Sequence, residues 1–458
     1  MTRRPRAILL AGCLGLLLAV GACTSDSSPA ASLPGSPAPS VGAMIPQPEP
    51  PEGLEVAPDE ARVDLDTPTF SDPTTVTNPY FPISSQHSVL LAGTVDDQAF
   101  RTEVTLLPTT RVIEWQGQRV ETLVSQYVAF LDGRLDEVAY DLYAQADDGS
   151  VWYFGEDVFN FADGAIVDTH GTWIAGVDGP AAMIMPADPG VGDVYRPENI
   201  PGFVFEEVTV RSVDETLDGP FGPVEGGLLV EELHMDGATE EKRFAPGYGE
   251  FFTDADGDIE ALALAVPTDA ASGPPPAELE TLVAAPLDLL ANVESGDWAA
   301  ISGSVEEITS AWEASRSSGV PRLLEPLVDQ AVVALATAVD DEDAEAASQA
   351  AINLARLGLD LRLRHRPPVE IDLARFDLWL AQLGLDAGVE DAVLVNGDYF
   401  ALDYVRERFL PALDPADAAQ VNLGMEELLG AIGDESYESV AEIAAGLREA
   451  LAGIDPST

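Results

Sequence analysis

Three sets of side chains in this sequence have the types and spacing to do chemistry. The first is a single sulfur. Val20-Gly21-Ala22-Cys23 has the form of a lipobox: a short apolar approach, two small residues, and a thiol that can carry a thioether-linked diacylglycerol after export. Upstream, Arg3, Arg4 and Arg6 precede an apolar run from Ala7 to Val20, the charged and hydrophobic parts of a secretory signal. That run is shorter than the ~20 residues a spanning helix needs. The second set is the carboxylates of Asp254, Asp256 and Asp258 in Asp254-Ala255-Asp256-Gly257-Asp258-Ile259-Glu260, oxygen ligands of the kind Ca2+ takes. Its glycine follows the second aspartate rather than the third, which departs from the EF-hand loop, and an Asp-Gly hairpin turn accounts for the same residues. The third is Glu156, placed after Trp152 and Phe154, where apolar neighbours would raise a carboxyl pKa.

Other chemistry is harder to find. His87, His170, His234 and His365 show no HxxxH or HxH spacing, so a zinc or iron site would have to be assembled from distant segments. His365 lies in the basic stretch Arg362-Leu363-Arg364-His365-Arg366, whose arginines suit a helix end facing the dipole. No GxSxG elbow, phosphate loop or dinucleotide fingerprint occurs. With 80 Asp and Glu in the chain, paired carboxylates carry no signal of catalysis.

The formal charge of −58 on 458 residues excludes whole classes of partner. Nucleic acid is bound by neutralising phosphates with Lys and Arg, and this surface would repel it. Anionic headgroups are repelled in the same way, so membrane association must come through the lipid on Cys23. The acidic excess reads as solubility or a composition bias rather than a cationic-partner surface, and Lys242 is the only lysine. Of two cysteines, Cys13 leaves with the signal peptide and Cys23 is committed to lipid. An internal disulfide, a thiol nucleophile and a cysteine zinc site are therefore excluded.

These groups must be positioned by an α+β chain in several parts. Residues 1–22 are the lipoprotein signal peptide, and 23–60 carry the lipidated cysteine and a Pro/Ser/Ala tether, as in Ser36-Pro37-Ala38-Pro39. Residues 64–267 alternate apolar and polar, as in Val120 to Val128, with turns at Asp132-Gly133, Asp148-Gly149, Asp163-Gly164 and Asp256-Gly257. Sequential hairpins imply an antiparallel meander, a curved sheet or open barrel. Residues 268–276 form a Pro-rich linker. Residues 277–455 are helical, a bundle or stacked hairpins of about seven helices, because Leu324, Val328, Ala331, Leu335 and Ala338 keep to steps of three and four. Breaks are expected at Ser295-Gly296-Asp297, Asp340 to Asp343, Pro367-Pro368, Asn396-Gly397-Asp398 and Gly433-Asp434, with Asp297, Asp343 and Asp398 as caps. Trp298, Trp312 and Trp379 read as core.

The β region carries a recurring pattern: Asn78-Pro79-Tyr80-Phe81-Pro82, Tyr143-Ala144-Gln145, Val151-Trp152-Tyr153-Phe154-Gly155-Glu156, Gly171-Thr172-Trp173-Ile174-Ala175-Gly176, Met185-Pro186-Ala187-Asp188-Pro189 and Phe244-Ala245-Pro246-Gly247-Tyr248-Gly249. Over most of this region the chain resembles a family of uncharacterised exported bacterial lipoproteins. The resemblance implies export and a domain boundary, and no activity.

The expectation from these residues is a membrane-anchored extracytoplasmic lipoprotein of the bacterial envelope that binds rather than catalyses. Its β region would cradle an apolar ligand or an envelope protein, through Tyr140, Tyr143, Trp152, Phe154, Glu156 and Trp173. A carboxylate-based metal-binding or hydrolytic protein, with Ca2+ at Asp254, Asp256 and Asp258, and a structural spacer are the alternatives.

Overall fold

The computed structural model describes residues 45, 47–293, 295–317 and 319–454. Residues 1–22, expected to be a signal peptide, and the expected lipobox Val20, Gly21, Ala22 and Cys23 lie outside them. Fourteen strands come first: β1 (Ser88–Val95), β2 (Gln98–Trp115), β3 (Gln118–Leu131), β4 (Arg134–Gln145), β5 (Val151–Ala162), β6 (Ala165–Asp168), β7 (Trp173–Ile174), β8 (Ala182–Met185), β9 (Val194–Ile200), β10 (Val204–Gly219), β11 (Gly222–His234), β12 (Thr239–Ala245), β13 (Gly249–Ala255) and β14 (Asp258–Val266). Helices follow: α1 (Ala277–Val293), α2 (Trp298–Arg316), α3 (Leu324–Asp340), α4 (Ala344–Arg362), α5 (Pro368–Gly388), α6 (Ala392–Phe409), α7 (Pro415–Gly433) and α8 (Tyr437–Leu451). The protein is thus α+β, an antiparallel curved sheet followed by helices.

Almost every strand pairs with its sequence neighbour, and two-residue turns of positive φ join five of these hairpins, β1–β2, β2–β3, β3–β4, β5–β6 and β13–β14. Asp132-Gly133, Asp163-Gly164 and Asp256-Gly257 all adopt that conformation at both positions, with φ between 47° and 98°. The sheet order is β6-β5-β4-β3-β2-β1-β14-β13-β12-β11-β10-β9, so the first and last hairpins join in the middle through β1 and β14. Its two ends curl toward each other. β8 pairs with β5 and leads directly into β9, and Trp173 Nε1 on β7 donates to Glu198 Oε1 on β9 over 3.3 Å.

Residues 45–60 were expected to belong to the tether, yet the described part of this stretch is laid on the sheet. Ile45 is buried and its N–H donates to the Leu65 carbonyl. Asn199 donates to Gln47 Oε1, and the Ala57 N–H donates to Glu207, the carboxylate that also holds Arg196. The proline-rich composition here serves an extended backbone that crosses β9 and β10.

The helices are not a separate body. Leu90, Ala263, Leu264 and Val266 of the sheet share a core with α1, α3 and α4, and Val128, Phe130, Val138 and Phe161 share another with α5, α6 and α8. Trp312 and Trp379 are buried as expected, Trp379 stacking on Phe130 at 5.8 Å, and Trp298 packs against the first of these cores. Between sheet and helices lies a layer of buried ion pairs. Arg101 grips Asp360 with two bonds of 2.7 and 2.9 Å, Arg375 reaches Asp360 and Asp372 at 3.0 and 3.1 Å, and Arg408 reaches Glu103 at 2.5 Å. The 268–276 linker is tied down as well: Tyr248 and the Ala265 N–H both donate to Asp269, and Arg364 donates to its carbonyl.

Asp297 and Asp343 cap α2 and α4 as anticipated, accepting from Ala300 and Ala346. Asn396-Gly397-Asp398, expected as a break, instead lies inside α6, which Asp391 caps. The glycine is there for packing. A Cβ on Gly164 of the β5–β6 turn would stand 1.9 Å from the Val393 carbonyl oxygen, and Gly397 faces that same turn. Asp398 is buried beneath Arg134, which donates to it over 2.9 Å.

Candidate functional site

Inside the curl of the sheet lies a cavity of about 180 Å3, walled by residues from twelve of the strands' inward faces and from the segment Phe81 to Gln86. Two strand irregularities decide what points into it. In a regular strand, Tyr153 and Glu156 are on opposite faces, being three residues apart. On β5, however, Asp141 of β4 pairs with Glu156 and Tyr143 pairs with Tyr153, so Phe154 and Gly155 together oppose the single residue Leu142. This bulge turns both Tyr153 and Glu156 inward. Gly155 has φ +114°, and a Cβ there would lie 2.1 Å from the Trp173 carbonyl oxygen. β9 repeats the device. Glu206 pairs with Glu198 and Val208 with Tyr195, leaving Arg196 and Pro197 opposite Glu207, and so Tyr195 and Glu198 both face the cavity.

Gly155→Ala is therefore expected to lose more than the ~1–3 kcal/mol of backbone strain alone, because the β5–β7 pairing must also open. Chemical denaturation should show it, with a matching change in the near-ultraviolet circular dichroism of the Tyr153–Trp173 pair, which packs edge to face at 5.3 Å. A variant as stable as the parent would remove the bulge from the account.

Three motifs of the β region, Asn78 to Pro82, Met185 to Pro189 and Phe244 to Gly249, converge on one end of this cavity. Asn78 donates to the carbonyls of Pro186 (2.8 Å) and Gly149 (3.2 Å). The Gly247 N–H donates to the Pro79 carbonyl, Tyr80 donates to the Gly226 carbonyl, and Gln86 donates to the carbonyls of Gly247 and Tyr248. Phe81 and Pro82 thereby close the end, with Phe81 edge-on to Tyr143 at 4.8 Å.

The wall is aromatic and apolar over much of its area, including Tyr127, Tyr143, Tyr153, Tyr195 and Phe244, but its charge is one-sided. Glu137, Asp141, Glu156, Glu198, Glu206, Glu232, Glu250 and Glu260 line it; the only basic group among the lining residues is Lys242. Burial pushes Glu137 up to about 8, with the charges of Asp136 and Asp141 adding to it. Asp141 is raised to about 7 by burial, although Tyr153 donates to it over 2.7 Å. Burial and then Glu198 hold Glu156 well above the usual carboxyl range. Glu260, to which Thr102 donates, is raised to about 8 by burial and the charge of Glu250. Farther along the same face of β11 and β12 the balance differs: burial opposes it, yet Lys242 and His234 bring Glu240 down to about 2. His234 is lifted to about 10 against its burial by Glu206 and Glu240.

Of the side chains expected to bind a ligand, Tyr143 and Glu156 line the cavity. The other four do not. Trp152 and Phe154 point to the opposite face, into a cluster with Trp115 and Phe70. Trp173 is wholly buried behind Tyr153, and Tyr140 faces the helices, donating to Glu407 over 2.6 Å. Glu156 does have a raised pKa, but from burial and Glu198 rather than from the two aromatics beside it in sequence. Asp254, Asp256 and Asp258 form the β13–β14 turn: Asp254 accepts from the Gly257 N–H and Asp258 from the Asp96 N–H. Among the described residues, the carboxylates and imidazole that meet closely enough for a metal are Glu206, Glu232 and His234 instead. The alternations Glu137-Val138-Ala139-Tyr140-Asp141-Leu142-Tyr143 and Glu232-Leu233-His234 were the available signal for these inward acids, and the lone lysine among them was another.

No family model matches the chain, and no curated protein matches it in sequence.

Proposed function

We propose that this protein is a membrane-anchored extracytoplasmic lipoprotein, held by a diacylglycerol on Cys23, whose sheet encloses a small organic cation. The observation that carries this reading is the cavity's charge: eight inward carboxyl groups against one ammonium, among tyrosine rings. Such a wall suits an amine, guanidine or quaternary ammonium on a compact apolar body, attracted by the carboxylates and packed against the aromatic and apolar side chains of the wall. The apolar part of the wall supports the cradle expected from the sequence, and the acids favour a cargo of positive charge. The volume of about 180 Å3 limits that cargo to a small molecule. Without it Glu137, Asp141 and Glu260, raised by burial to about 8, 7 and 8, hold protons near neutrality, and a bound cation displaces them, so affinity rises with pH up to about 8.

Native mass spectrometry of the mature protein from its own membranes tests both parts. The expected spectrum has a diacylglyceryl N-terminal cysteine and a non-covalently held molecule of positive charge. Titration calorimetry of small amines and guanidines should then show tighter binding at pH 8 than at pH 6, with protons released. An unlipidated N-terminus defeats the anchor; an empty cavity together with no binding from such a panel defeats the ligand.

A further inference from the structure

One end of the acidic wall is built differently from the rest, around an imidazole. His234 pairs in register with Glu206 across β10 and β11, and Glu232, two residues before it on the same face, pairs with Glu240 on β12. His234 Nδ1 is 3.5 Å from Glu206 Oε1, and its Nε2 is 3.5 Å from Glu240 Oε2. Lys242 Nζ lies 3.1 Å from both Glu232 Oε2 and Glu240 Oε1. One donor atom each from Glu206, Glu232 and His234 stands within 4.8 Å of the other two. Glu232 is 2% exposed, and its Oε1, the oxygen that Lys242 leaves free, receives no hydrogen bond from a donor group among the described residues and meets the Glu206 carboxyl, with which it can share only a proton or a cation. A carboxylate oxygen buried beside a second carboxylate is costly unless something positive sits between them.

We infer that Glu206, Glu232 and His234 Nδ1 hold a divalent transition-metal ion of the zinc type. The groups around them have the roles such a site needs. Glu240 accepts the Nε2 proton of His234, which fixes the tautomer and aims Nδ1 at the ion, the carboxylate–histidine–metal arrangement. Lys242 holds Glu232 Oε2 and so turns Oε1 to the metal. Three carboxylates, one ammonium and one divalent ion sum to zero, which removes the net charge that burial would penalise. The imidazole separates this site from Ca2+ and Mg2+, which take oxygen ligands throughout, and favours ions that accept mixed nitrogen and oxygen sets. Glu206 and Glu232 line the cavity and His234 follows on the same face of β11, past its wall, so a coordination position on the cavity side is left for water or a ligand, as in zinc sites that keep one open.

This inference goes beyond the organic-cation reading and does not rest on it: an amine panel that fails leaves the metal titration untouched. The test is titration of the full mature chain, stripped with chelator, with Zn2+ or Co2+ alone. The expected result is one saturable ion per chain, a Co2+ visible spectrum, and X-ray absorption at the metal edge showing one imidazole nitrogen and carboxylate oxygens at about 2.0–2.2 Å. Glu240→Gln should weaken binding roughly 10–100-fold while keeping the stoichiometry of one, and His234→Gln should abolish the nitrogen signature. The absorption measurement uses the unaltered protein and decides the matter even if a variant fails to fold. Non-saturating uptake of several ions, equal competition by Ca2+, or an all-oxygen shell would each overturn the site, because exposed acids alone would then account for the binding.

Discussion

Raising the pH from 5 to 8 is expected to destabilise the ligand-free protein, by several kcal/mol in total and on the order of 10 °C in Tm. Three cavity groups set the sign. Burial and neighbouring carboxylates hold Glu137 at about 8, Asp141 at about 7 and Glu260 at about 8, whereas in the unfolded chain they ionise near 4 to 4.5. Across the window between, the folded protein keeps protons that the unfolded chain has released. The stability they contribute is complete below about 4 and is lost as the pH climbs through 7 to 8, at up to about 1.4 kcal/mol per group for each pH unit. Glu240, held down at about 2, and Glu103, held far below its usual range by Arg375, Arg101 and Arg408 against its burial, act the other way and only at lower pH. Maximal stability should therefore lie on the acid side of neutrality. Differential scanning calorimetry between pH 5 and 8 reads this directly, and a Tm that stays flat or rises across that range contradicts it. A bound cation should restore much of the loss at pH 8, since it favours the ionised wall.

Replacing Arg375 with methionine should cost about 3–5 kcal/mol. Arg375 is 3% exposed and stands between Asp360, Asp372 and Glu103, carboxylates that also receive Arg101 and Arg408. The methionine fills much of the volume, so the loss comes from anions left buried without their cation rather than from a cavity. Because the ion layer joins α4, α5 and α6 to β2, the damage should also appear as lost cooperativity. In the parent, urea unfolding followed by far-ultraviolet dichroism and by tryptophan fluorescence should coincide, with Trp115, Trp152 and Trp173 in the sheet and Trp298, Trp312 and Trp379 in the helices. In Arg375→Met the helical signal should move to lower urea first. A loss under 1 kcal/mol with both transitions still superimposed would mean that apolar contacts alone fasten the two layers.

Much of the architecture could be read from local rules. The Asp-Gly pairs at 132, 163 and 256 demand positive φ at consecutive residues, and each became a two-residue hairpin. The apolar steps from Leu324 to Ala338 became the buried stripe of α3. The misreadings have equally local causes. Asn396-Gly397-Asp398 has the composition of a turn, but its glycine makes room for the Asp163-Gly164 hairpin and its aspartate answers Arg134. Glu156 shares strand parity with Trp152 and Phe154, which is why those three group together in sequence. The bulge at Gly155 inserts one residue and hands Glu156 to the other face, beside Tyr153 and opposite Glu198.

What the amino acids determined by themselves was therefore whatever depends on near neighbours: the hairpins, the helix periods, and the caps at Asp297 and Asp343. What only the tertiary structure decided was the company each charge keeps. Glu137, Glu198, Glu206, Glu232 and Glu260 come from five strands and look like any other acids in so acidic a chain. Curling the sheet takes them out of water together, and a carboxyl group's chemistry depends on the dielectric and the charges within a few ångströms, which are supplied by residues far away along the chain.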